Sequence, residues 1–380
     1  MFSDFEGQAP FRDMLEILPD PVMLVSGTSK EDLASRRFAF ANPAARDLLR
    51  LSGSEGQLLA AVRHPSVLGV VDEALFSGRE GSAIWEQGGP KDRCWRVTAR
   101  PLAPGGSGPR ALLSFSDQTD ARRNERMRAD FLANASHELR TPLASLSGFI
   151  ETLRGHARDD EAVRDRFLGV MQGQAERMAR LIDDLLALSR IELNEHIPPL
   201  DRVDFAHAVG EVVEALVPLA LDREVTLDLT VEGPTAVVGD RDQIIQLAQN
   251  LVANALKYAP PASTVRVRVT GGLTAWAAID QGGDGSRARH ALVMPDVGER
   301  RFVALSVADA GPGLAREHLP RLSERFYRAP GQKSGERSGT GLGLAIVKHL
   351  VNRHQGGLSV ESELGLGANF VAYLPQAPSG

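Results

Sequence analysis

Leu132, Leu139, Leu146 and Leu153 fall seven residues apart, with Ala135, Pro142 and Phe149 at the intermediate positions. That is the a/d seam of a coiled coil, which is satisfied only by a helix whose apolar stripe meets another helix. A second helical pattern runs roughly from Ala162 to Leu193, where Met171, Met178 and Leu185 interleave with Leu181 and Leu188 at intervals of three and four. Two antiparallel helices of this kind bury their stripes poorly alone, so a dimeric four-helix bundle is the predicted arrangement.

Patterns of mixed α and β type flank the helical hairpin. Before it, apolar strands are predicted at Val22–Val25, Arg37–Ala41, Ala83–Glu86 and Ala111–Phe115. In Cys94–Leu102, Trp95, Val97 and Ala99 alternate with Arg96, Thr98 and Arg100, the period of two of a half-buried strand. Helical spacing at Pro43–Leu51 and Val67–Phe76 completes a small sheet with helices on one face. After the linker marked by Pro198-Pro199, strands are expected at Val225–Val231, Ala236–Val238, Val265–Thr270, Phe302–Ala308, Leu358–Glu361 and Asn369–Leu374. Helices are expected at Gln243–Tyr258 and Leu342–Arg353. The stretch from Gly271 to Glu299, rich in Gly, Asp and Arg, fits neither period. It is longer than a structureless loop usually is, and it reads as a mobile insertion within a hairpin.

The 380 residues suffice for two or three domains. A net charge of −6 without a local Lys/Arg run argues against direct nucleic-acid binding. One cysteine, Cys94, excludes an intrachain disulfide and any cysteine-cluster metal site. No segment offers the ~20 continuous apolar residues of a membrane span, and Met1-Phe2-Ser3-Asp4 lacks the layout of a signal peptide. A soluble, intracellular chain is therefore expected.

Four motifs carry chemistry. Gly339-Thr340-Gly341-Leu342-Gly343-Leu344 leads straight into an apolar helix; glycines admit an oxyanion close to the backbone, and the helix start supplies unpaired N–H groups. The same run would also serve as a plain turn. Asp309-Ala310-Gly311-Pro312-Gly313 follows a strand. Its carboxylate could accept a hydrogen bond from an exocyclic amine such as adenine's, and its glycines leave room for a flat ring. The alternative is a type II turn with Pro312 and Gly313 at the centre. On the third motif, Asn250 to Tyr258, the side chains of Asn250, Asn254 and Lys257 share one helical face, with Tyr258 close by. Asn254 could give Mg²⁺ a hard oxygen ligand, Lys257 could neutralise phosphate, and Tyr258 could pack on a base. A solvated helix face would look the same, but the two glycine motifs in the same order favour the binding role. The fourth is Ser136-His137-Glu138-Leu139-Arg140-Thr141-Pro142-Leu143. With Leu132 and Leu139 at a, His137 falls at the outward f position. An exposed imidazole beside a carboxylate suits a nucleophile whose second ring nitrogen is held by Glu138. Thr141, one turn on, could place a water, and Pro142 withdraws the N–H that would bond the Glu138 carbonyl.

Together these residues resemble the two-component sensor histidine kinases. Residues 131–143 resemble the phospho-acceptor box, Asn250–Tyr258 the N box, and Asp309–Gly313 and Gly339–Leu344 the two Gly boxes. Arg325-Phe326-Tyr327-Arg328 resembles the F box of the ATP lid. The resemblance implies a multidomain α+β protein: a signalling helix (118–130), a dimerisation and histidine-phosphotransfer hairpin (131–196), and an α/β-sandwich ATP-binding domain (202–376) of the gyrase, heat-shock chaperone and histidine-kinase type, with an inserted loop at about 271–299. It implies ATP and Mg²⁺, phosphorylation of His137 with Glu138 as base, and transfer to an aspartate of a response regulator. Thr141 would serve dephosphorylation of that regulator. Asn254 would bind Mg²⁺ and Asp309 adenine, while Asn250, Lys257, Tyr258, Gly311, Gly313, Arg325, Phe326, Arg328, Gly339, Thr340, Gly341, Leu342, Gly343 and Leu344 would line the nucleotide.

The first region (11–117) resembles a PAS sensor domain in Ala41-Asn42-Pro43-Ala44-Ala45 and in Asp117-Gln118-Thr119. Leu18-Pro19-Asp20-Pro21 and Arg63-His64-Pro65 resemble the phosphate-regulon sensor kinases. Those relatives usually carry membrane helices ahead of this region, so the chain is expected to be a soluble relative or a fragment. Two other classes compete: an ATPase or ATP-gated clamp, which has no need of His137-Glu138, and a non-catalytic scaffold, which predicts lost motif residues.

Overall fold

A computed structural model describes residues 9–87, 93–105, 108–155, 160–281, 287–295, 298, 300–330 and 339–378. The chain forms two compact units, Met1–Leu132 and Ala133–Gly380.

The first unit runs α1 (Ala9–Glu16), β1 (Val22–Ser26), β2 (Arg37–Ala41), α2 (Pro43–Leu49), β3 (Gly56–Gln57), α3 (Leu58–Ala61), α4 (Pro65–Ser77), β4 (Gly81–Gln87), β5 (Arg93–Gly105) and β6 (Gly108–Asp117). The strands make one sheet in the order β3-β2-β1-β6-β5-β4. On β5, Trp95, Val97 and Ala99 are buried and Arg96 and Arg100 exposed, as the alternation predicts. These apolar residues pack with Met23, Val25, Leu113 and Phe115 against Ala45, Leu58, Val67 and Val71 of the helices. The opposite face is also covered, because Leu15 of α1 packs with Val22, Leu24 and Phe40. Asn42 explains the strand-to-helix step. Its Oδ1 accepts from Ala45 N (2.9 Å), capping α2, and from Val22 N (3.0 Å), while its Nδ2 donates to the carbonyls of Leu18 and Asp20. Arg36, 1% exposed, reaches Asp72 of α4 through two hydrogen bonds of 2.5 and 2.8 Å.

Helix α5 (Thr119–Arg154) and helix α6 (Glu161–Asn194) form the hairpin. α5 continues through Pro142. Ala135 and Pro142 of its seam are buried and Leu139, Leu146, Phe149 and Leu153 half-buried, but Leu132 is 65% exposed. The Phe149 and Phe167 rings meet at 5.1 Å.

The chain then runs β7 (Arg202–Asp204), α7 (Phe205–Asp222), β8 (Thr226–Glu232), β9 (Ala236–Val238), α8 (Arg241–Tyr258), β10 (Thr264–Leu273), α9 (Ala275–Ile279), β11 (Ala288–Val293), β12 (Phe302–Asp309), α10 (Gly343–Arg353), β13 (Gly357–Ser362) and β14 (Ala368–Pro375). Six strands form one sheet in the order β11-β13-β14-β12-β10-β8, in which only β10 and β8 run parallel. β7 and β9 pair separately. α8 packs on β12, α7 and α10, burying Leu247, Leu251, Ile346 and Leu350 with Val267, Leu305 and Val360.

The stretch from Gly271 to Glu299, expected as a mobile insertion within a hairpin, carries regular elements. β10 extends to Leu273, the Thr274 hydroxyl caps α9, and β11 pairs antiparallel with β13. Ala275, Ala278 and Ile279 pack on Phe302, Ala304, Val371 and Tyr373. A helix of five residues is too short to declare a period, which is why the pattern failed there. Residues 282–286, 296, 297 and 299 of that stretch lie outside the described set.

Candidate functional site

A cleft of about 450 Å³ opens in the second unit. Three elements that carry motifs converge on it. α8, capped by Asp240, whose side chain accepts from Asp242 N and Gln243 N, presents Asn250, Asn254, Lys257 and Tyr258. β12 ends at Asp309, and the turn after it brings Pro312 and Gly313 to the wall. The loop before α10 contributes Gly339, Thr340, Gly341, Gly343 and Leu344, and Arg328 joins them.

The glycines are required by close approach. Gly341 has φ +74°, and a Cβ there would lie 2.9 Å from the Phe326 backbone, whose N–H donates to the Gly341 carbonyl. A Cβ on Gly343 would stand 2.7 Å from Asn250 Oδ1. Leu342 is fully buried and does not line the cleft; its N–H donates to Thr340 Oγ1 (3.3 Å). Gly311 also stays out of the wall, donating its N–H to Asp309 Oδ1 at 2.8 Å.

Burial dominates the electrostatics. It raises the Asp309 carboxyl to about 6, against N–H donors from Gly311 and Ala368 and the charge of Arg287. It lowers the Lys257 ammonium to about 8, helped by Arg328, Arg223 and Arg177. The Tyr258 phenol is pushed up by the same desolvation. Lys257 Nζ donates to the Tyr258 hydroxyl (3.1 Å) and lies 4.7 Å from that ring's centre. The result is a cationic, half-dry end beside a carboxylate end, the polarity that a polyphosphate attached to a base would match.

Helix α6 supplies a wall that sequence reasoning missed: Arg177, Arg180, Asp183 and Asp184 all line the cleft. Their spacing of three and four was visible, but a charged helical stripe ordinarily faces solvent. Asp184 Oδ2 accepts from Thr340 Oγ1 at 2.7 Å, and burial raises its carboxyl despite that bond. Arg325, expected at the nucleotide, instead pairs with Glu192 of α6. Glu195 accepts from Asn352 Nδ2 (3.0 Å) and meets His349 Nδ1 at 2.8 Å. Leu181, Leu188 and Ile191 are buried on this helix, against which α10 packs. Phe326 sits at φ +61° behind the loop rather than in the wall. Ala368 and Phe370 of β14 complete the lining unannounced by any motif.

His137 and Thr141 stand exposed on α5, and the Thr141 hydroxyl donates to the His137 carbonyl (3.2 Å). Glu138 accepts from Arg177 Nη2 at 3.0 Å, so the residue beside His137 is tied to a residue of the cleft wall.

Residues 127–194 match the His Kinase A (phospho-acceptor) domain, and residues 239–378 match the histidine kinase-, DNA gyrase B- and HSP90-like ATPase family. The chain is 33% identical over 270 residues to the sensor-like histidine kinase SenX3 of Mycolicibacterium smegmatis, covering 70% of this chain and 62% of that protein. It is 34% identical over 266 residues to the phosphate regulon sensor protein PhoR of Pseudomonas aeruginosa, covering 70% and 54%. To the sensor histidine kinase WalK of Bacillus subtilis it is 32% identical over 268 residues, covering 68% and 38%. The chain thus spans less than two thirds of the length of each of these relatives. Among the described residues no helix is long and apolar enough to cross a membrane.

Proposed function

Because the chain belongs to the two-component sensor histidine kinases, we propose that it transfers the γ-phosphoryl group of ATP to His137 and then to an aspartate on a separate response regulator. The observation that carries this reading is the link from cleft to histidine: Arg177 both lines the cleft and holds Glu138, the neighbour of an exposed imidazole.

The residues fit Mg·ATP on their own terms. The cleft volume lies within the ~300–1,000 Å³ of small-molecule sites, and glycine at 341 and 343 lets the loop close onto Phe326 and Asn250 at its edge. Asn254 would hold Mg²⁺ through its amide oxygen, as suits a hard cation. When bound, Mg·ATP supplies the group to be transferred. Asp309 then accepts from the base, Lys257 and Arg328 balance phosphate charge, and α10 presents its N-terminal amides. Glu138 takes the imidazole proton once Arg177 has oriented it. Catalysis is largely positioning and charge neutralisation, as in other phosphoryl transfers.

The reading includes a homodimer through the α5–α6 hairpin. Leu143, Ile150, Ile182 and Leu186 are 55%, 46%, 44% and 52% exposed there, a row that a second copy would cover. It includes dephosphorylation of the regulator through Thr141, and a phosphate-regulon type of sensor. Residues 11–117 act as a PAS-like sensor, 118–130 as signalling helix, 131–196 as phosphotransfer hairpin and 202–376 as ATP-binding domain. A nucleotide substrate and one buried cysteine suit the cytoplasm. The test is incubation with γ-labelled ATP. The native chain should acquire an acid-labile label and His137→Ala none; a labelled His137→Ala protein refutes the assignment.

A further inference from the structure

Leu273 and Phe302, the last residue of β10 and the first of β12, are themselves paired. Neighbouring antiparallel strands need only a tight turn to connect them. Here the connection instead builds α9, which packs on the sheet, and β11, which joins its edge beside β13. Side chains of a strand alternate between faces. Ala368 and Phe370 of β14 face the cleft, while Val371 and Tyr373 face α9. Asn369 shares that outer face.

The cover is bound by polar groups as well as apolar ones. Asn369 is 3% exposed; its Nδ2 donates to the Gln281 carbonyl (2.9 Å) and its Oδ1 accepts from Ser306 Oγ (2.8 Å). Opposite it on β13, Glu361 is equally buried and accepts from Arg289 at 3.2 and 2.6 Å. Arg289 also pairs with Asp280 at the end of α9. A buried amide or carboxylate with all its partners is held rigidly, because loss of one leaves a costly orphan. Turned over, this same stretch forms the carboxylate end of the cleft. Asp309 pairs in register with Ala368 and takes that residue's N–H as well as that of Gly311, while the Arg287 guanidinium at the start of β11 favours its ionised form.

We propose that residues 274–281 and 287–293 form a positioning element for the purine end of the cleft. By gripping Asn369 and Glu361 from behind, they fix Ala368, Phe370 and Asp309, and so set base affinity and discrimination while leaving the phosphate end to the glycine loop. The inference rests on the nucleotide reading above. It goes further by separating the two ends of the ligand between two parts of the fold.

The experiment is calorimetric titration of the full chain with Mg·ADP, Mg·GDP and magnesium tripolyphosphate, for the native protein and for Asn369→Leu and Arg289→Gln. Asn369→Leu should weaken ADP about fivefold to tenfold, the scale of one or two lost hydrogen bonds, and narrow the ADP-over-GDP preference. Tripolyphosphate affinity and kcat at saturating ATP should stay within about twofold, because neither depends on the base contact. Arg289→Gln should act in the same direction and decides the question alone should Asn369→Leu show no cooperative melt. Unchanged ADP affinity in a folded variant overturns the proposal. So does an equal loss for ADP and tripolyphosphate, which is the mark of general loosening. A native chain that binds no ADP would instead overturn the nucleotide reading, and this inference with it.

Discussion

The cleft holds a carboxyl raised to about 6 and an ammonium lowered to about 8, and nucleotide binding should report both. Asp309 accepts a hydrogen bond from the base best when ionised, so its contribution is present above its pKa and lost as pH falls through it. Lys257 attracts phosphate only when protonated, so its contribution is present below its pKa and lost as pH rises through it. Near pH 7 about nine-tenths of each group is in the competent form, and the apparent Kd scales inversely with that fraction. At about pH 5 the Asp309 carboxylate falls to roughly one-tenth, and at about pH 9 the Lys257 ammonium does the same, each raising Kd by about an order of magnitude. Affinity should therefore form a plateau around neutrality with two limbs. Isothermal titration with Mg·ADP across this range measures it; protonation of the nucleotide's own phosphate is common to all variants and cancels in their ratios. Lys257→Arg, which keeps its charge at every pH used, should flatten the alkaline limb alone. Asp309→Asn, which cannot ionise, should flatten the acid limb alone. A Kd constant within about twofold from pH 5 to 9 refutes the reasoning, given the tenfold change per pH unit expected beyond each pKa. Persistence of the alkaline limb in Lys257→Arg would refute the role given to that lysine.

Other consequences are quicker to state. Asp72→Ala strands the buried Arg36 guanidinium and should cost the first unit about 3–5 kcal/mol, read by thermal or urea unfolding; a loss below about 1 kcal/mol would contradict that burial. Gly341→Ala forces a side chain to φ +74°, a strain of roughly 1–2 kcal/mol before any clash, and should weaken ATP at least about tenfold by titration. Unchanged affinity would mean that the loop does not meet the phosphates. Thr141→Ala removes a hydroxyl that donates to the His137 carbonyl and should spare autophosphorylation while slowing regulator dephosphorylation; equal loss of both activities would contradict the role.

Long, regular elements were legible from the chain itself. The heptad leucines announced α5, and the alternation of Trp95, Val97 and Ala99 announced β5, because burial on one face leaves a period in the sequence. The glycine loop was legible for a different reason: the positive φ of Gly341 and the Phe326 backbone against it leave little room for a side chain. Three kinds of feature were not legible. Helix α7 went unassigned, its pattern interrupted by Pro218. α9 and β11 were too short to carry a period. Asp184 and Arg177 look like any solvated helical pair until α10 and the loop before it close over them. The placement of Arg325 against Glu192 likewise depends on a partner 133 residues away, which local pattern cannot supply.

Asp184, Leu188, Glu192 and Glu195 lie along one stripe of α6, spaced by three and four, and each carboxylate among them engages the ATP-binding lobe. An α-helix turns about 100° per residue, so a twist of that size would swing all these latches away from their partners in one movement. Half-measures would leave half-buried charged groups mismatched. Such a geometry behaves as a detent, with the lobe either clasped or released, and release would also part the Thr340 hydroxyl from Asp184. A stimulus that torques the hairpin would then be answered by a step rather than a slope.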